Sequence, residues 1–173
     1  MAEAAIHLGS NGRSAAPAMP SPAMIGARQS REIGATPNLN VLIIEQEAYT
    51  RTLVREIVRT LGAEQIHAVS DAKGALATLE AKPGINLIVC DERLPDMTGL
   101  EFLARIRRRV PAVMFVLLSE HAEPAHIQMA VESGVSAIIV KPFSRAQLEA
   151  KLRYLAHRMD GARPGAAAAP SQA

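Results

Sequence analysis

In the stretch INLIVCDERLPDMTGLEFL, residues 85–103, an apolar run is followed directly by a carboxylate. Residues 87–90 have the composition of a buried strand, and Asp91 follows them directly. A carboxylate in this position can act as a nucleophile and accept a phosphoryl group as an acyl phosphate. Because the carboxylate and the phosphoryl group are both anionic, they need a cation in order to meet. A Mg²⁺ ion held by few carboxylates and several waters would serve.

Three other apolar runs also end on polar residues. They are followed by Glu45-Gln46-Glu47, by Ser119, and by Lys141-Pro142. In a parallel sheet the carboxyl ends of all strands lie along one edge, so we expect these side chains to gather beside Asp91. Lys141 would add a positive charge, and the Ser119 hydroxyl would bond a phosphoryl oxygen. The residue types therefore indicate phosphoryl binding or transfer.

The elements that would position these residues alternate in type. Strand-like runs occupy residues 41–44, 66–69, 87–90, 113–118 and 137–140. Apolar residues at helical spacing follow each run. The helix limits are marked by Gly62 as a stop, Asp71 as an N-cap, a start near Gly99, a helix over 124–133 ending near Gly134, and a capping box of Ser144 with Gln147. The pattern predicts five β-α units.

Four of the five runs, all except the second, are apolar throughout and do not alternate. Such strands are buried on both faces, which predicts a parallel sheet covered by helices. Right-handed crossovers then give an α/β fold with a doubly wound five-stranded parallel sheet. In this fold a ligand site lies at the carboxyl ends of the strands, near the point where the strand order reverses.

The composition argues against several classes of function. Residues 39–160 carry 15 Lys and Arg against 15 Asp and Glu, so this region is neutral and a poor binder of a phosphate backbone. With no Trp, two Tyr and three Phe, stacking on single-stranded bases is also disfavoured. No apolar run approaches the roughly 20 residues of a membrane span, and no secretory signal is evident. We expect a cytoplasmic protein with no nucleic-acid or membrane partner.

We predict one folded domain between two tails. Residues 1–38 and 161–173 are rich in Ala, Pro, Ser and Gly without a sustained period, which favours disorder, and the domain spans residues 39–160. Cys90 is the single cysteine, so no internal disulfide forms. Its place in a strand-like run predicts a buried core thiol.

From residue 39 to about residue 158 the sequence resembles the receiver domain of two-component response regulators. Four stretches carry the resemblance, in the order VLIIEQEAYTR, LIVCDERLPDMTGLEFL, VMFVLLSE and GVSAIIVKPF. The resemblance implies a flavodoxin-like (βα)5 sandwich similar to the chemotaxis regulators. It also implies a phosphorelay function, with Asp91 phosphorylated by a histidine kinase or a histidine phosphotransfer protein.

The resemblance also implies roles for the other strand-end residues. Ser119 would be the switch hydroxyl that moves toward the phosphoryl group on Asp91, and Lys141 would pair with that group. The Lys141–Pro142 bond would be cis, a conformation that proline makes accessible. Arg93 would offer its backbone carbonyl to a metal. The implied Mg²⁺ ligands are Glu45, Gln46, Asp91 and the carbonyl of Arg93, and the implied loop-shaping residues are Pro95 and Gly99.

Two positions depart from the family pattern. The family carries two acidic residues after the first strand, and the second position here is Gln46, which brings no charge to the metal. Losing a unit charge beside a divalent ion costs on the order of several kcal/mol at an effective dielectric near 20, and less where water screens. We therefore expect weakened Mg²⁺ binding. At Ile138 the family usually has an aromatic switch residue, and an aliphatic side chain presents neither a ring nor a hydroxyl.

Three functions remain open at this point. The first is a stand-alone receiver that signals by protein contact through its fourth helix, fifth strand and fifth helix, since only about a dozen residues follow the last predicted helix. The second is a pseudo-receiver, a protein-interaction module in which Gln46 has disabled phosphorylation. The third is a phosphohydrolase of the haloacid-dehalogenase type, which is disfavoured because Arg93 stands where that class needs an aspartate. A DNA-binding regulator is disfavoured by the neutral domain.

Plainer interpretations of the same residues also remain open. Asp91 would then be a solvated strand end, Ser119 a turn or N-cap residue, and Lys141 a structural partner of Asp91 or Glu45. The five histidines lack metal-ligand spacing. The arginines that end the third helix, Arg105 and residues 107–109, are expected to be solvated there, where positive charge suits the helix dipole. The less favoured alternative is an anion-binding patch.

Overall fold

Residues 38–161, the part of the chain that the computed structural model describes, alternate strictly between strand and helix. The strands are β1 (Asn40–Ile44), β2 (Gln65–Val69), β3 (Leu87–Asp91), β4 (Met114–Ser119) and β5 (Ala137–Val140). The helices are α1 (Ala48–Thr60), α2 (Ala72–Ala81), α3 (Gly99–Ile106), α4 (Pro124–Glu132) and α5 (Arg145–Gly161). All five predicted β-α units are present. The predicted tails lie outside the described residues except at positions 38 and 161.

The five strands form one sheet in the order β2-β1-β3-β4-β5, and every neighbouring pair is parallel. The chain runs outward from β1 to β2, then returns past β1 to β3 and continues to β5. The strand order therefore reverses between β1 and β3, as a doubly wound sheet requires. This confirms the predicted fold class and places Glu45 and Asp91 at the reversal point.

Apolar cores cover both faces of this sheet. In β1, Val41 and Ile43 pack in the core beneath α1 and α5, while Leu42 and Ile44 pack in the core beneath α2, α3 and α4. Every second residue of a strand points to the same face, so a strand buried on both faces must be apolar at every position. The helices supply the matching apolar stripes, and β1 and β3 read as unbroken apolar runs for this reason.

The prediction that β5 is buried on both faces is wrong. Ala137, Ile138 and Val140 are half-buried, and only Ile139 reaches the interior. β5 is the last strand in the sheet order, so it pairs with β4 on one side and, among residues 38–161, with no strand on the other. The apolar composition of β5 therefore does not indicate burial on both faces, because its apolar side chains are partly exposed at the edge of the sheet.

Local signals fix the helix ends as the sequence predicted. Asp71 caps α2 by accepting a hydrogen bond from the backbone N–H of Gly74 at 2.7 Å. Ser144 and Gln147 form the capping box of α5, at 2.8 and 3.2 Å. Gly62 follows α1 with a φ of 83°, the left-handed conformation that a glycine adopts without strain.

None of the helices within residues 38–161 is both long and apolar enough to cross a bilayer.

Gly99 joins the strand of Asp91 to the helix that follows it. Its N–H donates to the carbonyl of Glu92 at 2.8 Å, so α3 begins directly against the end of β3. A Cβ atom at this position would lie 2.6 Å from the backbone oxygen of Asp91 and 2.9 Å from Leu117. Side chains can rotate away from such a contact, but a backbone carbonyl in the sheet cannot. Only glycine fits here without moving the strand or the helix.

We predict that Gly99→Ala lowers the free energy of unfolding by about 2 kcal/mol, because the added methyl group overpacks the junction. Urea unfolding followed by circular dichroism measures this change. Gly74→Ala is the matched control, since its Cβ would meet side-chain atoms only, the nearest being a carboxylate oxygen of Asp71 at 3.2 Å. Equal stability of the Gly99→Ala protein and the wild type would contradict the close approach.

Candidate functional site

The strand-end residues meet at the carboxyl edge of the sheet, where β1, β3 and β5 deliver their last side chains. The ammonium of Lys141 donates to Oε2 of Glu45 at 3.0 Å and to Oδ1 of Asp91 at 3.0 Å. These residues are 96 and 50 positions away from Lys141 in the sequence. Parallel strands with a common register bring them together. The structure thus unites three of the predicted site residues around one cation.

The two carboxylates of this cluster are buried. Glu45 is 0% exposed and Asp91 is 4% exposed, whereas the Lys141 side chain is 20% exposed. Burial raises the pKa of Glu45, because the charged form loses hydration, and the N–H of Glu47 and the ammonium of Lys141 only partly oppose this. Burial alone would lower the pKa of Lys141, but its hydrogen bonds to both carboxylates outweigh burial and raise it. Two anions facing one cation leave the cluster with an excess negative charge.

Gln46 and Arg93, both predicted metal ligands, contact each other. The Gln46 side-chain amide donates from Nε2 to the backbone carbonyl of Arg93 at 3.1 Å. Glu47, the other acidic residue after β1, does not point into the cluster. Its carboxylate caps α1 by accepting from the backbone N–H groups of Tyr49 and Thr50. Glu47 is therefore engaged as an N-cap and does not replace the charge that Gln46 lacks.

The oxygen atoms at this edge are suited to a hard divalent cation. Carboxylates from Glu45 and Asp91, the carbonyl of Arg93 and, after rotation of its amide, the side-chain oxygen of Gln46 are the donor types that Mg²⁺ prefers. Among residues 38–161 no group of three or more His, Cys, Asp and Glu is arranged to hold a metal. The donor types fit Mg²⁺, but they include only two carboxylates, and the amide of Gln46 is neutral.

The Ser119 hydroxyl lies at the same edge but is directed elsewhere. Its Oγ donates to Oε2 of Glu92, and both residues are buried, at 0% and 7% exposed. The backbone N–H of His121 donates to the same Oγ at 2.9 Å. The sequence analysis predicted a phosphoryl oxygen as the partner of Ser119, but no partner within the protein, and it assigned no function to Glu92. The available signal was a charged residue directly after a buried strand, because such a charge needs a partner.

The remaining predicted positions are distributed as follows. The Lys141–Pro142 bond is cis. Ile138 is half-buried in β5 and lines grooves against both α4 and α5. Cys90 is fully buried, and burial raises the pKa of its thiol well above the usual value, so it is the core thiol that the sequence predicted.

Arg107 corrects the expectation of a fully solvated arginine cluster after α3. Its guanidinium is half-buried and donates to three backbone carbonyls, those of Pro111, Val113 and Gly134, at 3.1, 2.8 and 2.6 Å. It therefore ties the end of α3 to the loops before β4 and after α4. Arg109 forms an exposed ion pair with Glu80 of α2 at 2.7 Å, as a solvated helix end allows.

We predict that Lys141→Met lowers the free energy of unfolding by about 2 kcal/mol at pH 7, because two buried carboxylates lose their counter-ion. Without the ammonium the pKa of Glu45 rises further. A carboxyl group with a raised folded-state pKa favours the folded state at low pH and loses that contribution as pH rises through the folded pKa. The loss should therefore shrink as pH falls from 7 to 4.5, which urea unfolding at both values measures.

Lys151→Met is the control for this prediction, because Lys151 is an exposed lysine on α5 and its replacement should change the unfolding free energy by less than about 0.5 kcal/mol. An equal loss for Lys141→Met at both pH values would show that Lys141 acts by packing and not by charge.

Comparisons with known proteins agree with this architecture. A family model described as the response regulator receiver domain matches residues 41–153. Chemotaxis protein CheY-3 of Vibrio cholerae is 30% identical over 127 residues, which are 70% of this chain and 95% of that protein. The cyclic di-GMP phosphodiesterase response regulator RpfG of Xanthomonas campestris is 31% identical over 123 residues, 68% of this chain. The hydrogenase transcriptional regulatory protein HoxA of Cupriavidus necator is 34% identical over 105 residues, 60% of this chain.

The chain spans 32% of the length of RpfG and 21% of HoxA. Among solved structures, the chemotaxis response regulator CheY4 of Vibrio cholerae superposes with a TM-score of 0.62 at 24% identity, covering 68% of this chain and 98% of CheY4. A CheY-like receiver domain protein of Methanospirillum hungatei gives a TM-score of 0.64 at 22% identity, covering 71% and 97%. These two structures share the fold. Since the family model covers about two thirds of the sequence, the chain belongs to the response regulator receiver domain family.

Proposed function

We propose that the chain is a phosphorylation switch in a phosphorelay, with Asp91 as the residue that accepts the phosphoryl group. The observation that carries this proposal is the Lys141 ammonium, which lies 3.0 Å from carboxylate oxygens of both Asp91 and Glu45 at the switch point of the sheet. A nucleophilic carboxylate with a fixed cation beside it is what transfer of an anionic group requires. The donor is a histidine kinase or a histidine phosphotransfer protein.

In the proposed transfer a carboxylate oxygen of Asp91 attacks the phosphorus of a phosphohistidine. The new O–P bond forms as the P–N bond breaks, and the electron pair of that bond stays on the leaving imidazole. Lys141 neutralises negative charge on the phosphoryl oxygens from its position beside Oδ1 of Asp91. Glu45 holds the ammonium in place from the opposite side. Mg²⁺, when bound, screens the carboxylate from the incoming phosphoryl group.

The output of the proposed switch is a protein-protein contact made by α4, β5 and α5. This face carries partly exposed apolar groups, including Ile138 on the edge strand and Tyr154, which is 58% exposed. A protein partner suits this face better than a nucleic acid, because the surrounding domain is neutral. Ile138 has no ring or hydroxyl to reorient, so we propose that Ser119 and α4 carry the signal to this face. The downstream partner is a protein, and the site of action is the cytoplasm.

A second candidate function is a pseudo-receiver, which uses the same binding face without phosphorylation. The contact that favours it is the 3.1 Å hydrogen bond from the Gln46 amide to the carbonyl of Arg93. An amide N–H at this carbonyl stands where the implied cation would bind, and the amide replaces one unit of negative charge. If the cation binds more weakly, the charge of the Asp91 carboxylate is screened less often when a phosphoryl donor approaches.

We predict that the protein gains the mass of one phosphoryl group when it is incubated with phosphoramidate and a saturating concentration of Mg²⁺. Intact-protein mass spectrometry measures the gain, and peptide mapping should locate it at Asp91. Asp91→Asn is the control, since an amide is not a nucleophile of this kind and its shape is nearly the same. No gain in the wild type at any Mg²⁺ concentration would overturn the switch and favour the pseudo-receiver.

We predict that Gln46→Asp raises the rate of phosphorylation at low Mg²⁺ about tenfold. A unit charge a few ångströms from a divalent cation contributes on the order of several kcal/mol at an effective dielectric near 20, and exposure at this site reduces that figure to the 1.4 kcal/mol that tenfold represents. Gln46→Asn shortens the side chain equally without adding charge, so it should stay within twofold of the wild type. Equal rates for the Asp and Asn variants would show that charge at residue 46 does not limit the reaction.

A further inference from the structure

Glu92 connects three elements at the carboxyl edge and has no part in the chemistry proposed above. Its carboxylate follows β3 and is 7% exposed. Oε2 accepts a hydrogen bond from the Ser119 hydroxyl at the end of β4. Oε1 lies 2.6 Å from Nε2 of His126 in α4. A single buried carboxylate thus lies between the switch hydroxyl and the helix beside it.

The Ser119 hydroxyl has one proton to donate, so its acceptors compete. Two acceptors are in reach, the carboxylate of Glu92 and the backbone carbonyl of His121, which is the more distant at 3.2 Å. The Glu92 carboxylate is the nearer of the two acceptors, so the proton belongs to Glu92. A phosphoryl oxygen on Asp91 would need this same proton. Ser119 therefore cannot serve Glu92 and a phosphoryl group at once.

His126 extends this contact into α4. Its side chain is 19% exposed, and its ring lies against the ring of His121 with centroids 4.8 Å apart. Nε2 lies at ion-pair distance from the Glu92 carboxylate and has no hydrogen-bond partner among the described residues. Glu92 thus holds Ser119 by a hydrogen bond and meets α4 through its 2.6 Å contact with His126. A shift of Glu92 would be transmitted to the first turn of α4.

We propose that Glu92 is a positioning residue that holds Ser119 in its resting orientation and competes with the phosphoryl group for the Ser119 proton. This inference rests on the proposed phosphorylation of Asp91. On phosphorylation the hydroxyl leaves Glu92 for a phosphoryl oxygen, and the Glu92 carboxylate loses its donor. The Glu92 side chain then rearranges, and its contact with His126 passes this change to α4. Glu92 thereby opposes phosphorylation and couples it to the start of α4.

The test is a double-mutant cycle on the rate of phosphorylation by phosphoramidate at fixed Mg²⁺. Glu92→Met removes the acceptor at a similar side-chain volume, and we expect the rate to rise three- to tenfold. In a Ser119→Ala background the same substitution should change the rate by less than twofold, because no hydroxyl remains to be released. A structural role for Glu92 without competition would give the same change in both backgrounds.

Glu123→Gln is the matched control, since it removes one carboxylate charge from the same region of the fold. The Glu123 side chain is 70% exposed, makes no capping hydrogen bond to α4 and lies 3.6 Å from Nδ1 of His121. We expect its rate to stay within twofold of the wild type. A rise equal to that of Glu92→Met would assign the effect to general charge and overturn the proposal. Should Glu92→Met fail to fold, Glu92→Gln, which keeps a neutral acceptor, should give a smaller rise in the same direction.

The outcomes separate this inference from the proposed function. A wild-type protein that is phosphorylated at the same rate as Glu92→Met leaves the function intact and overturns the competition. Absence of phosphorylation in both proteins overturns the function itself. If Glu92→Met raises the phosphorylation rate above that of the wild type, and this increase disappears in the Ser119→Ala background, both the inference and the function are supported.

Discussion

The ammonium of Lys141 holds the carboxyl edge of this domain together. Two carboxylates, from Glu45 and Asp91, are almost withdrawn from water, and such groups repel each other and resist ionisation when they are alone. One cation within hydrogen-bond distance of both makes the arrangement stable while leaving a negative excess. The same balance that lets the sheet end on charges also suits the proposed binding of a divalent cation and transfer of a phosphoryl group. Stability and reactivity therefore have a common origin in this cluster.

The fold and the strand-end cluster were predictable from the sequence because both depend on local patterns. Unbroken apolar runs specify strands buried on both faces, and a parallel sheet then brings every residue that follows a strand to one edge. Asp91, Glu45 and Lys141 meet for that reason alone. β5 was misjudged because composition does not reveal sheet order, and an apolar edge strand has the same composition as a central one.

The contacts of Glu92 and Gln46 were not predictable, because they depend on register and on side-chain rotamers. Asp91 pairs with Leu118 across the sheet, so Glu92 comes to lie beside Ser119, but no sequence pattern specifies which residues of β3 and β4 face each other. The Gln46 amide reaches the carbonyl of Arg93 by rotation about side-chain bonds. Sequence patterns thus indicate which residues gather at an edge, whereas the contacts among those residues depend on strand register and side-chain rotamers.

The close approach at Gly99 makes the domain mechanically asymmetric. The missing Cβ allows α3 to lie directly against the Asp91 carbonyl, so β3 and the helix that follows it are held closely together. On the other side of Asp91, α4 is linked to β3 through the side chains of Glu92 and His126, which can rotate. A structural change at Asp91 would therefore be resisted by backbone contact on the α3 side and less so on the α4 side, where rotatable side chains make the link. Rearrangements that follow such a change would therefore occur mainly in α4 and near the edge strand β5.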